Sequence, residues 1–184
     1  MIDRETIRLF RDIGRDVFVA GLTSSHGGNM SVRDGGRIVI TRRGSMLGRL
    51  GDDDLVEVGM EPGPVDERCS RELVVHRAIY AATDASAIVH AHPVHTIARS
   101  FASDAITPAD SEGLYVLGDV PVVSSEVTIA SPEAATVLAE ALRKAPVAVL
   151  RTHGPFARGA SLEEAFMYVS ALEASAQILD LLGR

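Results

Sequence analysis

Two histidines, His90 and His92, stand two residues apart at the end of the apolar run Ala87-Ile88-Val89. Alternate side chains of an extended strand share one face, so both imidazoles project the same way and can bind one ion together. Imidazole is the commonest ligand for zinc and similar first-row ions, and a catalytic site usually supplies three protein ligands while keeping one position open. The third ligand has to come from another strand end, and His153, closing Val147-Ala148-Val149-Leu150-Arg151-Thr152 beside Gly154, is the best placed. The H-x-H spacing alone is weak support, because single strand histidines are commonly hydrogen-bonded core residues.

A carboxylate beside a divalent cation can move a proton to or from a bound substrate, and Glu72 is the residue read this way. Taken by itself it is equally a helix-start acid favoured by the macrodipole. His76, four residues on, is read as structural, with orientation of Glu72 as the alternative; His95 is read as a partly buried helical histidine. Gly27, Gly28 and Asn29 offer backbone N–H groups and an amide at a loop mouth. Thr41, Gly44 and Ser70 stand at other element ends, where small donors can surround a phosphate. Simple turn chemistry is the competing explanation for the glycines.

The elements that position these groups follow from hydrophobic spacing. Ile7, Phe10, Ile13, Val17 and Phe18 recur at helical intervals from a cap at Asp3 to Gly21. Met30–Arg33 and Arg37–Thr41 flank Asp34-Gly35-Gly36 as a β-hairpin, and Leu55–Val58 alternates like a further strand. Ser70 is placed as the N-cap of a helix running to Thr83, with Glu72 in its first turn. Ala87–Ala91, Pro121–Val123 and Val147–Thr152 read as strands, the first and last of them buried. Helices are expected after Pro93, from Ser131-Pro132-Glu133 to about Lys144, and from the capping box Ser161-Leu162-Glu163-Glu164 onward. This order predicts a mostly antiparallel sheet covered by layers of helices.

Composition bounds the function. With 184 residues, 46% of them apolar, and no repeat or linker, the chain is expected to form one domain over residues 1–184. A net charge of −7, from 25 acidic against 18 basic residues, argues against nucleic-acid binding, although Arg42-Arg43 is a local anion spot. No apolar run approaches a membrane span, the N-terminus is charged from the start, and the single Cys69 fits a reducing compartment; a cytoplasmic, non-membrane protein is expected.

Assembled in order, these segments resemble the class II aldolase and adducin family. Gly28-Asn29-Met30-Ser31-Val32-Arg33 is similar to its G-N-x-S-x-R segment, and Ile40-Thr41-Arg42-Arg43-Gly44 to its I-T-x-[ST]-G segment. Ser70-Arg71-Glu72 with His76 and Tyr80 resembles its S-x-E-x-x-x-H-x-x-x-Y helix. His90-Ala91-His92 and His153-Gly154 resemble its metal segments, and Ser161-Leu162-Glu163-Glu164-Ala165 the opening of its last helix.

The resemblance implies an α/β/α layered fold with a mostly antiparallel central sheet, a homotetramer, and one divalent ion per subunit held by His90, His92 and His153. Zinc is the first choice, with manganese or cobalt as alternatives. It implies Glu72 as the acid/base residue and Asn29, Thr41, Gly44 and Ser70 as the group binding a sugar-phosphate substrate. The implied reaction is aldol cleavage of a ketose 1-phosphate of the L-fuculose, 5-deoxyribulose or 5-methylthioribulose type to dihydroxyacetone phosphate and a short aldehyde. The latter two substrates would place it in salvage of S-adenosylmethionine by-products. Ribulose-phosphate 4-epimerisation and methylthioribulose-phosphate dehydration are alternatives within the family, and a non-catalytic adducin-like assembly module is the alternative outside catalysis. Arg43 and Arg71 depart from the family pattern, standing where small hydroxyl residues are frequent. The chain closes at Arg184, with no counterpart expected for a tail-borne aromatic proton donor, which leaves Tyr115, or Glu112, as the donor to the aldehyde.

Overall fold

A computed structural model describes residues 2–183. The opening helix α1 (Arg4–Val19) starts where the Asp3 carboxylate accepts from the Thr6 N–H, and it buries Phe10, Ile13 and Val17 as a single stripe. Three antiparallel strands follow: β1 (Asn29–Asp34), β2 (Arg37–Thr41) and β3 (Leu55–Gly59). Then come α2 (Leu73–Ala82), β4 (Ala87–His90), α3 (Val94–Ser100), β5 (Ala105–Ile106), α4 (Ser111–Val116) and β6 (Val120–Val123). The chain finishes with α5 (Pro132–Ala141), β7 (Val147–Leu150), β8 (Gly154–Gly159) and α6 (Leu162–Leu181).

All eight strands join one sheet in the order β3-β2-β1-β4-β8-β7-β6-β5, antiparallel except for β6 beside β7. β4 lies inside the sheet, between β1 and β8, and every residue of it is buried. Its two faces serve two cores. Ala87 and Val89 pack with α1 and α6 residues such as Phe10, Val17, Val169 and Leu172; Ile88 packs with Ile79 of α2 and Leu138 of α5. β7 divides the same way, Val147 and Val149 to one core, Ala148 and Leu150 to the other. Period-two alternation between two apolar faces is what a sheet covered on both sides requires, and the result is the expected α/β/α sandwich.

Several boundaries differ from the sequence expectation for local reasons. Ser70 is not the cap of α2: the helix begins at Leu73 with Glu72 in the cap position, and the Ser70 hydroxyl accepts from the Glu72 N–H at 3.3 Å inside a preceding turn. The Ser161 hydroxyl does accept from the Glu164 N–H, but the Glu164 carboxylate reaches back to the Ala160 N–H, one residue beyond a standard capping box. β7 stops at Leu150, and α5 at Ala141. β8, β5 and α4 were not foreseen. β8 begins Gly154-Pro155, which reads locally as a turn, and the other two are too short to show a period.

α3 follows Pro93 and has no capping side chain of its own. The buried Glu173 of α6 fills that role, its carboxylate accepting from the His95 N–H at 3.1 Å, the Thr96 N–H at 2.9 Å and the Thr96 hydroxyl at 2.8 Å. Removing it leaves buried donors unpaired, so Glu173→Ala should lower the unfolding free energy in urea by about 2–3 kcal/mol. A loss under about 0.5 kcal/mol would contradict this role.

Candidate active site

His90 is the last residue of β4, and His92 follows just beyond the strand end. His153 arrives from the turn between β7 and β8, where Thr152 adopts φ +66, an outlying conformation for a β-branched residue. The turn is held from outside. The Thr152 N–H donates to the Ser100 hydroxyl at 3.0 Å, while Arg151 reaches the Ser124 hydroxyl, the Ser100 carbonyl and Asp104. Two glycines permit the close approach. A Cβ on Gly154 would lie 2.3 Å from the Ala91 carbonyl oxygen, and one on Gly27 would lie 2.6 Å from His92 Nδ1.

The three rings converge through their Nε2 atoms, at 2.9 Å between His92 and His90 and 3.0 Å between His90 and His153. His90 Nδ1–H donates to the Pro155 carbonyl at 2.9 Å, so its Nε2 carries the bare lone pair. Phe156 stacks on the same ring at 3.9 Å between centroids and 8° between planes. Burial first, and the neighbouring imidazoles second, hold His90 well below the usual imidazole range and His92 at about 4; burial also lowers His153. Unprotonated nitrogens pointed at one another repel unless a cation lies among them. The three-histidine donor set therefore fits a zinc-type ion, and it is the group of that kind found among the described residues.

Glu72 lies beside this cluster, its Oε1 3.9 Å from His153 Nε2. Oε1 accepts from the Ala130 N–H at 3.1 Å, whereas Oε2 is buried with no hydrogen-bond partner. Burial raises the Glu72 carboxyl to about 7 against the lowering effect of the Ala130 hydrogen bond. Ala130, like Thr152, has a positive φ, +55. Strain of this kind at both supports of the cluster is what a site held to a fixed geometry carries.

One cavity of about 340 Å³ collects His90, His92, His153, Glu72, Asn29, Thr41, Gly44 and Ser70. The loops bearing the last three are tied together, Ser70 N–H to Thr41 O at 3.0 Å and Arg43 N–H to Arg68 O at 2.9 Å. Thr41 Oγ1 accepts from the Met30 N–H, which leaves its own proton for a ligand. Arg42 is engaged with Asp54 and the Asp53 carbonyl, while Arg43 and Arg71 line the cavity and their guanidinium groups have no side-chain partner among the described residues. His76 bonds Asn29 and Ser31, with no side-chain bond to Glu72. His95 lies apart, paired with Asp180 on α6. Tyr115 and Glu112 are exposed on α4 and outside this cavity; Tyr115 is 92% exposed.

His26 and Ile129 also line the cavity, and the Ala130 N–H supports it, three groups absent from the candidate residues above. His26 was legible as a polar group beside Gly27. Ile129 and Ala130 sit in an irregular segment before α5 and carry no periodic signal, and a backbone N–H has no sequence signature.

The fold and the three-histidine cavity define an α/β protein with a donor set that fits a metal ion. The chain belongs to the class II aldolase and adducin family: the model of the class II aldolase and adducin N-terminal domain matches residues 8–179. It is similar to the L-fuculose-1-phosphate aldolase of Thermus thermophilus in a crystal structure, at 42% identity and a TM-score of 0.95, over 98% of this chain and 95% of that one. It is 30% identical to the L-fuculose phosphate aldolase of Methanocaldococcus jannaschii over 97% of this chain and 95% of the relative. It is also 34% identical to the methylthioribulose-1-phosphate dehydratase of Gluconobacter oxydans, over 83% and 80% of the two chains.

Two outcomes follow from the cluster. Titration with zinc should show one tight site per chain, and free zinc at about 100-fold above its Kd should add about 2.7 kcal/mol to stability in urea. His92→Ala should abolish both effects with the fold retained. The metal-free protein should lose stability on acidification below about pH 6.5: unfolded histidines take up protons there, while His76, held at about 3, His92 at about 4, and His90 stay neutral in the fold. Each contributes up to about 1.4 kcal/mol per pH unit. Glu72, raised in the fold, acts in the opposite sense between about 7 and 4.5, one group against four, since burial lowers His153 as well. Urea unfolding at about pH 6.5 and 5 checks the sign; greater stability at the lower pH would contradict it.

Proposed function

We propose that the chain is a metal-dependent aldolase cleaving a ketose 1-phosphate of the L-fuculose, 5-deoxyribulose or 5-methylthioribulose type to dihydroxyacetone phosphate and a short aldehyde. The observation that carries this reading is Glu72: a buried carboxylate with one oxygen fixed and the other free, inside the cavity that also holds the histidine triad. His90, His92 and His153 would hold the ion, zinc in the first instance. When bound, it supplies Lewis-acid polarisation of the ketose oxygens and positive charge to balance an enediolate.

The remaining work falls to the chain's own groups. Asn29, Thr41, Gly44 and Ser70 bind the phosphate and fix the dihydroxyacetone half in place, so that the C3–C4 bond stands next to Glu72. As that bond breaks, its electron pair stays on C3 and the C4 hydroxyl loses its proton to become the aldehyde. Glu72 Oε2 delivers the proton that C3 then needs. Tyr115, exposed on α4, relays the C4 hydroxyl proton to solvent at the cavity of a neighbouring subunit in a homotetramer, its phenol releasing one proton as it takes the other, and in the reverse direction it is the donor to the aldehyde oxygen. The buried, free Cys69 suits a reducing cytoplasm, and the deoxy and methylthio substrates would put the enzyme in salvage of S-adenosylmethionine by-products.

Methylthioribulose-phosphate dehydration is the second reading, supported by the 34% identity to a dehydratase of that name. Product analysis separates the two. Metal-loaded protein incubated with each ketose phosphate should release dihydroxyacetone phosphate from at least one of them; its absence with all three would sink the aldolase reading. Glu72→Gln should keep the metal and lose turnover by about 10²–10⁴-fold. Full activity in that variant would remove the assigned role.

A further inference from the structure

Below the phosphate end of the cavity runs a buried chain of hydrogen bonds. His76 Nε2 is 2.6 Å from Asn29 Oδ1, His76 Nδ1 is 2.6 Å from Ser31 Oγ, and Ser31 Oγ is 2.7 Å from the Tyr80 hydroxyl. All four side chains are buried. Burial keeps His76 neutral, lowering it to about 3, so its ring carries a single N–H. A neutral imidazole between a hydroxyl and an amide can pass hydrogen bonds in either direction, and the two directions present opposite ends of the Asn29 amide to the cavity.

Tyr80 breaks the tie. Its hydroxyl is buried and has Ser31 as its hydrogen-bond partner among the described residues. A buried hydroxyl proton left unbonded is costly, so Tyr80 donates to Ser31 Oγ. Ser31 must then spend its own proton on His76 Nδ1, and the ring N–H sits at Nε2, donating to Asn29 Oδ1. The Asn29 NH₂ group is thereby the arm left for the cavity that Asn29 lines. Run backwards, the chain would end on Tyr80 with a proton unspent, and would turn a carbonyl oxygen toward an incoming anion.

We infer that Tyr80 and His76 are positioning residues for anion recognition: through Ser31 they lock the Asn29 amide with its N–H donors facing the cavity. This rests on the reading that Asn29, Thr41, Gly44 and Ser70 bind the substrate phosphate. It accounts for a tyrosine buried away from the reacting atoms, and it gives His76 a task other than orienting Glu72.

Two measurements on the metal-loaded, full-length protein test it. Nitrogen-15 NMR of the His76 ring should show the proton on Nε2 and a bare Nδ1; the opposite tautomer would overturn the inference. Binding of inorganic phosphate should weaken by about 3–10-fold in Tyr80→Phe, with KM for the ketose phosphate rising in step and kcat little changed. In an Asn29→Ala background the same Tyr80→Phe change should cost nothing further. An additive loss there would mean that Tyr80 acts through general packing, and would overturn the inference. Unchanged phosphate affinity in Asn29→Ala alone would instead refute the phosphate reading, leaving the ring tautomer to report the direction of the chain independently.

Discussion

The antiparallel pairing of β4 with β8 decides where the reactive centre lies and which nitrogen of His90 faces it. His90 stands opposite Phe156 in that register, and its Nδ1–H is taken up by the Pro155 carbonyl one residue away. That hydrogen bond orients the ring, selects the tautomer and points a lone pair at the partners from His92 and His153. A one-residue slip would exchange the faces of β4, sending His90 and Val89 each to the wrong core. The split of β4 between two apolar layers is therefore also what locks the geometry of the histidine cluster.

Around this fixed pair, the structure concentrates conformations and charge states that cost stability. Thr152 and Ala130 are the non-glycine residues with positive φ among those described, and one delivers His153 while the other holds Glu72. Neutral imidazoles facing one another and a half-unpaired buried carboxylate are poor contributors to folding. They are good receivers of a cation and a proton. The surrounding supports, from the Ser100 hydroxyl under Thr152 to the Tyr80–Ser31–His76 chain under Asn29, are buried and hydrogen-bonded.

Much of this was legible in the sequence because strand and helix periods are strong where apolar residues recur. The three histidines, Glu72, Asn29, Thr41, Gly44 and Ser70 come from five separated segments, and the fold gathers all of them in one cavity. β8 was hidden because Gly154-Pro155 is turn chemistry when read locally; it becomes a strand through its neighbours β4 and β7, and the proline gives the sheet its carbonyl instead of an N–H. The start of α2 was misplaced since Ser70 does make a capping-type bond, but to a turn that precedes the helix. The Ala130 N–H and the direction of the buried chain below Asn29 are backbone and tertiary properties, which no local pattern encodes. Tyr115 is suggested by residue type alone, and the structure leaves it exposed on α4, outside the cavity.

The proposed chemistry turns on Glu72 exchanging a proton with C3 of dihydroxyacetone phosphate held beside the histidine triad. Solvent exchange tests that step without the aldehyde partner. Metal-loaded protein incubated with dihydroxyacetone phosphate in deuterium oxide should place one deuterium on the hydroxymethyl carbon remote from the phosphate, and Glu72→Gln should not. Dihydroxyacetone phosphate recovered unlabelled from the metal-loaded wild-type protein would contradict the account.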